Sequence, residues 1–239
     1  MNIDKQNFSF IVFISVNSTI NSASGSGIMY KTDENLYLIT AKHVLFKNDG
    51  SIIGENIIIT SKNFDETIET ATIYEIQNFK ICETILHGIL DIVAVKIDLN
   101  DNIIVNNYIN RPLVKKENIV PYDNISIFNE IYLAGFPTSL KVDITDYDLS
   151  KINFRKGIIT SKYQNEFIVD SSTYYGMSGG AVFSINNTGN IFIIGIISKL
   201  VPLLVEWYNN REKSIINTDF ENSGYSICIR IDDFINLLK

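Results

Sequence analysis

Leu36-Tyr37-Leu38-Ile39-Thr40-Ala41-Lys42-His43-Val44 (LYLITAKHV, residues 36–44) is an apolar run that breaks at a lysine and a histidine. Its first six residues, Leu36–Ala41, have the composition and length of a buried strand. The imidazole of His43 then sits just beyond the tip of that strand. Short apolar runs separated by polar breaks continue outward on both sides. Phe10–Val16 and Ser26–Tyr30 come before it, and Ile57–Thr60, a longer run around Thr67–Phe79, and Ile92–Ile97 come after. Farther along, Glu130–Gly135, Lys156–Tyr163, Glu166–Asp170, Ala181–Ser184, Ile191–Ser198 and Ser226–Ile231 read the same way. Ile, Val, Phe, Tyr and Thr fill these runs; Asn, Asp, Gly and Ser break them. One helix is expected, at the end of the chain. Asp232 or Asp233 would cap it, and Phe234, Leu237 and Leu238 recur at helical spacing. Many short strands with one terminal helix predict an all-β fold, a barrel or a sandwich.

Three stretches do not read as strands. The polar region Asp98–Asn118, with Arg111-Pro112, is the best candidate for a linker. Thr138–Arg155 is a polar connection carrying Asp143, Asp146 and Asp148. Val201–Tyr225 is read as a long loop around the single tryptophan, Trp207.

The composition removes several function classes. With 239 residues, 46% of them hydrophobic and 20% charged, the chain can bury a core in one large or two small units. The net charge is −7, and the densest basic runs are the pairs Lys115-Lys116 and Arg155-Lys156. No nucleic-acid partner and no electrostatic attachment to membranes is expected from that balance. No apolar run reaches the ~20 residues of a membrane span. Cys82 and Cys228 lie in apolar surroundings and are read as buried small hydrophobes, not as a disulfide framework or a zinc site. No metal or other cofactor is expected. Phe8–Val16 followed by Ser22-Ala23-Ser24 loosely resembles a signal peptide, but Asp4 and Lys5 cancel and leave no positive leader. A cytoplasmic location is expected, with a secreted or periplasmic one as the alternative.

Tyr174-Tyr175-Gly176-Met177-Ser178-Gly179-Gly180 places three of only 13 glycines around one serine. An ordinary turn accounts for this. So does a nucleophilic serine flanked by free backbone N–H groups. A serine hydroxyl needs a base, and the chain has two histidines. His87, in Leu86-His87-Gly88, has no supporting context and is read as a surface or core histidine. His43 remains. A histidine base needs an orienting carboxylate. Asp91, in Leu90-Asp91-Ile92-Val93-Ala94-Val95, is embedded in an apolar run, which is costly unless the acid is paired. Closing a turn at the start of a strand would also explain it.

In the order His43, Asp91, Ser178 the chain resembles the chymotrypsin-like serine peptidases, and more closely the HtrA-type protease domains of bacteria. Thr40-Ala41-Lys42-His43-Val44 matches the histidine motif of that family. Asp91-Ile92-Val93-Ala94-Val95 resembles its aspartate motif, and Gly176-Met177-Ser178-Gly179-Gly180 its serine motif. Gly25-Ser26-Gly27-Ile28, Ala134-Gly135-Phe136-Pro137 and Lys156-Gly157-Ile158-Ile159-Thr160 are similar to further segments in the same order. The resemblance implies two antiparallel β-barrels and a short C-terminal α-helix. The first barrel would occupy 1–110 with His43 and Asp91, a linker 111–122, and the second barrel with Ser178 and the helix 123–239. No PDZ domain is expected after Lys239.

It also implies roles. Ser178 would attack the scissile carbonyl of a protein or peptide substrate and form an acyl-enzyme. His43 would carry the proton, Asp91 would orient His43, and the N–H groups of Gly176 and Ser178 would form the oxyanion hole. Ser172 falls at the base of the primary specificity pocket with Thr173 beside it; Ser198-Lys199-Leu200 falls on the strand that pairs with substrate backbone. Ser172 is neutral, which favours an uncharged side chain before the scissile bond, and Leu200 would narrow the pocket. The Val201–Tyr225 segment would shape specificity or gate access, or be a peripheral insertion.

Two residues depart from the family. Met177 stands where Asp or Asn is usual in that family; Met cannot form the ion pair with a new N-terminus that the Asp forms in zymogen-activated members, so activation by N-terminal cleavage is not expected. Val44 replaces a half-cystine. The Met177 departure keeps a second reading open: a catalytically silent fold used as a protein-binding module, or a peptidase that works only after an activating protein partner binds. An α/β-hydrolase esterase is disfavoured, because its triad runs Ser, Asp, His.

Overall fold

The computed structural model describes residues 5–17, 22–64, 69–76, 83–97, 112–138, 152–209 and 214–238. The chain folds into two antiparallel β units, as expected. The first contains β1 (Ile11–Asn17), β2 (Ser22–Lys31), β3 (Leu36–Thr40), β4 (Asn56–Phe64), β5 (Glu69–Ile76), β6 (Thr84–Leu86) and β7 (Val93–Ile97). They form a seven-stranded sheet in the order β5-β4-β1-β2-β3-β7-β6. The second contains β8 (Glu130–Gly135), β9 (Asn153–Lys162), β10 (Glu166–Asp170), β11 (Ala181–Ile185), β12 (Ile191–Asn209) and β13 (Ser214–Arg230), closed into a barrel in the order β10-β13-β12-β11-β8-β9.

The burial of each strand follows its sequence. All five residues of β3 are buried, and it is an interior strand, paired by β2 along one edge and by β7 along the other. A strand covered on both faces reads as a continuous apolar run, which LYLIT is. β10, Glu166-Phe167-Ile168-Val169-Asp170, alternates, with Phe167 and Val169 turned inward. One apolar core joins the facing sides of the two units and includes Ile14, Leu38, Val95, Phe136, Phe183 and Phe234. A second fills the closed barrel with Ile131, Leu133, Phe167, Val182 and Cys228. Between the units, Lys31 N–H donates to the Val114 carbonyl at 2.8 Å, and Val120 N–H to Ile193 at 2.9 Å. The connecting segment is thus tied to both sheets.

Four expectations change. The run after β3 forms a single helical turn, α1 (Lys42–Leu45), with Val44 and Leu45 buried. The short strand β6 was not expected. The terminal helix α2 (Asp232–Ile235) is present, but no side chain caps it and Ile231 occupies the N-cap position. Asp232 instead takes Arg230 Nε and Nη2, both at 2.7 Å, and accepts Tyr122 N–H at 2.8 Å. A guanidinium fork outcompetes a helix N–H for the carboxylate.

The largest change is at Val201–Tyr225, which is a hairpin and not a loop. β12 and β13 continue beyond the barrel as a two-stranded ribbon, paired from Pro202↔Asn222 to Asn209↔Ser214 with a shift of register between Trp207 and Tyr208. Leu203–Tyr208 contains no glycine or proline to end a strand, and its β-branched and aromatic residues sustain one. Cys82, residues 98–111 and residues 139–151 lie outside the described residues, so the linker start and the three aspartates of the polar connection do too. Among the described residues no helix is long and apolar enough to cross a membrane.

Candidate functional site

β3 and β7 pair so that Thr40 lies opposite Val93. Three residues past Thr40 comes His43, and two before Val93 comes Asp91, so the register itself brings them to one end of the sheet. His43 N–H donates to Asp91 Oδ1 at 2.9 Å, and His43 Nδ1 lies 2.7 Å from Asp91 Oδ2. A carboxylate only accepts, so Nδ1 carries a proton, and in the neutral ring Nε2 then keeps its lone pair. Ser198 Oγ donates to the same Oδ2 at 2.7 Å. Burial pushes the Asp91 carboxyl up, but hydrogen bonds from the His43 ring, its charge, and the bonds from Ser198 Oγ and His43 N–H outweigh it and hold the group below the ordinary carboxylate range. The acid is paired, as its apolar setting required. His87 closes the turn ahead of it: its Nδ1 accepts the N–H of Leu90 at 3.0 Å and of Ile89 at 3.3 Å.

Ser178 lies in the loop between β10 and β11. Tyr174 C=O accepts Met177 N–H at 3.0 Å, closing a turn in which Gly176 has φ 94°. A side chain at Gly176 would lie 2.4 Å from the Phe136 carbonyl oxygen and 2.6 Å from Thr138 N. Gly179, at φ 82°, would place a Cβ 2.1 Å from both Ser26 O and Thr40 Oγ1. Glycine is required at both positions by dihedral and by space. The contact at Gly179 also locks the serine loop against the strand that leads to His43. Among the described residues no hydrogen bond joins Ser178 Oγ to His43; such contacts are often long before substrate binds.

Backbone accounting in this loop is informative. Tyr175 C=O accepts Thr138 N–H at 2.8 Å and Thr138 Oγ1 at 3.3 Å. Gly176 C=O accepts Ser26 Oγ at 2.8 Å. Met177 C=O accepts Gly180 N–H at 2.9 Å, Ser178 C=O accepts Ser26 N–H at 2.7 Å, and Gly179 N–H donates to Ile197 at 2.7 Å. Among the described residues, two N–H groups between 176 and 180 are left without a partner: Gly176 and Ser178. In a trans peptide the N–H points opposite the C=O. With Tyr175 C=O turned to Thr138, Gly176 N–H is turned away from it.

Met177 is fully buried with Ile131, Leu133, Val182, Ile197 and Cys228. Met177 is thus an apolar anchor in the barrel core. Sequence reasoning missed Ser26 and Thr138 as partners of the loop. The available signal was the Gly25-Ser26-Gly27 run, where small neighbours let two backbones meet.

Around the expected specificity residues, Thr173 is buried and its Oγ1 lies within hydrogen-bond distance of Ser226 Oγ at 2.9 Å, while its carbonyl accepts Asn222 Nδ2 at 2.7 Å. Ser171 C=O also accepts Ser226 Oγ, at 2.6 Å. Ser172 remains partly exposed, and its Oγ would lie 4.0 Å from a Cβ at Gly224. Asn222, Gly224 and Ser226, all on β13, are therefore neighbours of the 171–173 segment that the sequence did not reveal. Ser198, Lys199 and Leu200 follow Ile197, the last residue of β12 bonded to the serine loop. Ser198 turns its hydroxyl to Asp91, Lys199 is exposed, and Leu200 is half-buried opposite Ser226.

Residues 25–223 match the family described as the trypsin-like peptidase domain. The chain belongs to that family. Its fold is shared by the serine endoprotease of Yersinia pestis, at 20% identity and a TM-score of 0.56, over 98% of this chain and 64% of that one. The HtrA-type protease AlgW, solved with a tripeptide, gives 18% identity and 0.55, over 97% and 59%. The catalytically active tobacco etch virus protease, complexed with product, gives 13% and 0.57, over 100% and 81%. This trypsin-like domain spans about six-tenths of the length of the two bacterial proteases. No curated protein sequence matches it.

Proposed function

We propose that this trypsin-like domain is a serine endopeptidase that works through His43, Asp91 and Ser178. The observation that carries the reading is a coincidence at one place. An imidazole oriented by Asp91 lies three residues past Thr40, which packs with Ser26 against Gly179 of the serine loop, and that loop holds two N–H groups with no described partner, those of Gly176 and Ser178. In this mechanism His43 Nε2 removes the Ser178 proton as Oγ attacks the substrate carbonyl. The C=O π bond becomes an oxyanion, received by Gly176 and Ser178 N–H. Collapse expels the amine, which takes the proton from His43 and leaves an acyl-serine. Water then repeats the sequence and frees the acid. Asp91 stabilises the imidazolium and stays ionised throughout. Fixed donors aimed at charge that forms only in the transition state are worth about 3–4 kcal/mol each.

The hydrogen bonds around the loop and the buried Met177 support a hole that needs no N-terminal ion pair. The small, neutral surroundings of Ser172 support an uncharged side chain before the scissile bond. Incubation with denatured casein, followed by mass-spectrometric mapping of new N-termini, tests the reading. New termini from the native chain that are absent with Ser178→Ala and His43→Ala support it. Identical fragments from all three proteins, or none from any, contradict it.

A further inference from the structure

On its barrel side β12 is paired by β11 only through Ile196, and by the serine loop through Ile197. From Ser198 to Asn209 it is paired by β13 alone, so its other edge is open among the described residues. An open edge offers unpaired N–H and C=O groups to an added strand. This one starts beside Asp91 and continues past Leu200 for most of the ribbon.

The side chains along the ribbon indicate what covers it. Leu203, Val205 and Trp207 share one face; Leu204 and Tyr208 share the other, joined there by Phe220 and Ile215. Leu203, Leu204, Trp207, Tyr208, Ile215 and Phe220 are all about half exposed or more. A partner packing on one face would leave the opposite row bare. A strand added at the edge sends alternate side chains to both faces and covers both rows. The apolar residues are concentrated on β12, the strand whose edge continues from Ser198. Beyond Lys199 the charged residues described on the ribbon are Glu206, Asp219 and Glu221. Trp207 Nε1 donates to Asp219 Oδ2 at 3.1 Å, which keeps the indole and the carboxylate together on one face.

We infer that the open edge of β12 from Leu200 to Trp207 is an extended binding groove for the substrate segment N-terminal to the scissile bond. The inference rests on the peptidase reading. A strand antiparallel to β12, with the residue before the scissile bond at Ser198, runs its earlier residues toward the ribbon tip. At about 3.3 Å per residue it meets Trp207 roughly nine residues upstream. The substrate class is an extended, unfolded polypeptide with apolar residues interspersed with basic ones in that upstream stretch. Pro202 lacks an N–H and interrupts the edge at one place, as edge strands tolerate.

The test builds one core sequence, with an uncharged residue before its central bond, into two quenched peptides. The short one spans four residues on each side of the bond. The long one adds eight upstream residues alternating Leu and Lys. The long peptide is expected to gain at least about tenfold in kcat/KM, mainly through KM, the effect of one or two net backbone hydrogen bonds. A Glu-for-Lys version of the extension loses that gain. In the double variant Glu206→Lys/Glu221→Lys the ratio of long to short reverses between the Lys and Glu extensions. In Trp207→Ala/Leu203→Ala the ratio falls toward one. Anisotropy of fluorescein-labelled peptides on the Ser178→Ala protein reads binding apart from turnover. Tighter binding of the long peptide with no cleavage by the native chain supports the groove and overturns the peptidase reading. Equal cleavage and equal binding of the two peptides overturns the groove and leaves the peptidase reading standing.

Discussion

The hydroxyl of Ser26 lies between two peptide groups of the second barrel, donating to Gly176 C=O and accepting Phe136 N–H, both at 2.8 Å. The same residue gives its N–H to Ser178 C=O at 2.7 Å and takes Thr40 Oγ1 on its carbonyl at 2.7 Å. One fully buried serine of the first unit thus links the serine loop to the strand that leads into His43.

Replacing Ser26 by Ala keeps both backbone contacts and removes the hydroxyl. Gly176 C=O and Phe136 N–H are then buried without partners, at a cost of about 1–3 kcal/mol in stability. The Gly176 peptide also loses its outer anchor. kcat is expected to fall about tenfold to a hundredfold with little change in KM. Denaturant melts and steady-state kinetics on the same samples check both. Lost stability with intact kcat would make the bridge purely structural.

Asp91 gives the pH prediction. Its carboxyl is held below the ordinary range in the folded chain. Between the folded and unfolded pKa the unfolded chain binds more protons, so stability rises with pH there. The contribution is complete above the ordinary value of ~4 and is lost as pH falls through the depressed one. Ser198→Ala removes one of the lowering hydrogen bonds and is expected to move acid unfolding to higher pH. Urea melts across about pH 2 to 6 read the change. Asp91→Asn should lower kcat by about 10⁴, because the amide cannot hold Nδ1 in its protonated form.

Met177 distinguishes a packing anchor from a missing ion pair. Met177→Leu conserves volume and should cost less than about 1.5 kcal/mol with activity retained. Met177→Asp buries a charge among Ile131, Leu133 and Ile197 with no cation described beside it. It should destabilise by about 3 kcal/mol or more. Thermal melts of the pair decide it; a stable, active Met177→Asp protein would contradict the anchor.

The sequence made the strands and the three candidate residues legible for a local reason. Strand composition, the break at Lys42-His43 and the paired-or-costly logic of Asp91 are properties of short windows. What it concealed is non-local. Ser26 reaches Gly176 across 150 positions. Asn222 meets the carbonyl of Thr173 only because β13 folds back beside the 171–173 segment. The ribbon was hidden by its ends, since residues 201–225 carry polar breaks that look like a loop until Pro202 and Asn222 are seen paired. Asp232 looked like a cap because capping is judged from neighbours along the chain, whereas its partner Tyr122 comes from 110 positions away.

Asp232 also gives a stability prediction far from the serine loop. Asp232→Asn removes the charged forked partner of the largely buried Arg230 guanidinium, which keeps Asp233 at 3.1 Å and the Gln164 carbonyl at 3.3 Å and lies 4.7 Å from the centre of the Tyr122 ring. Partial exposure tempers the loss to about 1–3 kcal/mol. Calorimetry should show a lower Tm, while kcat measured well below that temperature stays unchanged.

The most direct test of the central claim is labelling by a fluorophosphonate probe, which reacts only with a serine activated by its base and oxyanion donors. Peptide mapping should place the adduct on Ser178, with labelling abolished in Ser178→Ala and strongly slowed in His43→Ala. No adduct on the folded chain, or an adduct on another residue, would contradict the claim that His43, Asp91 and Ser178 form a working peptidase site.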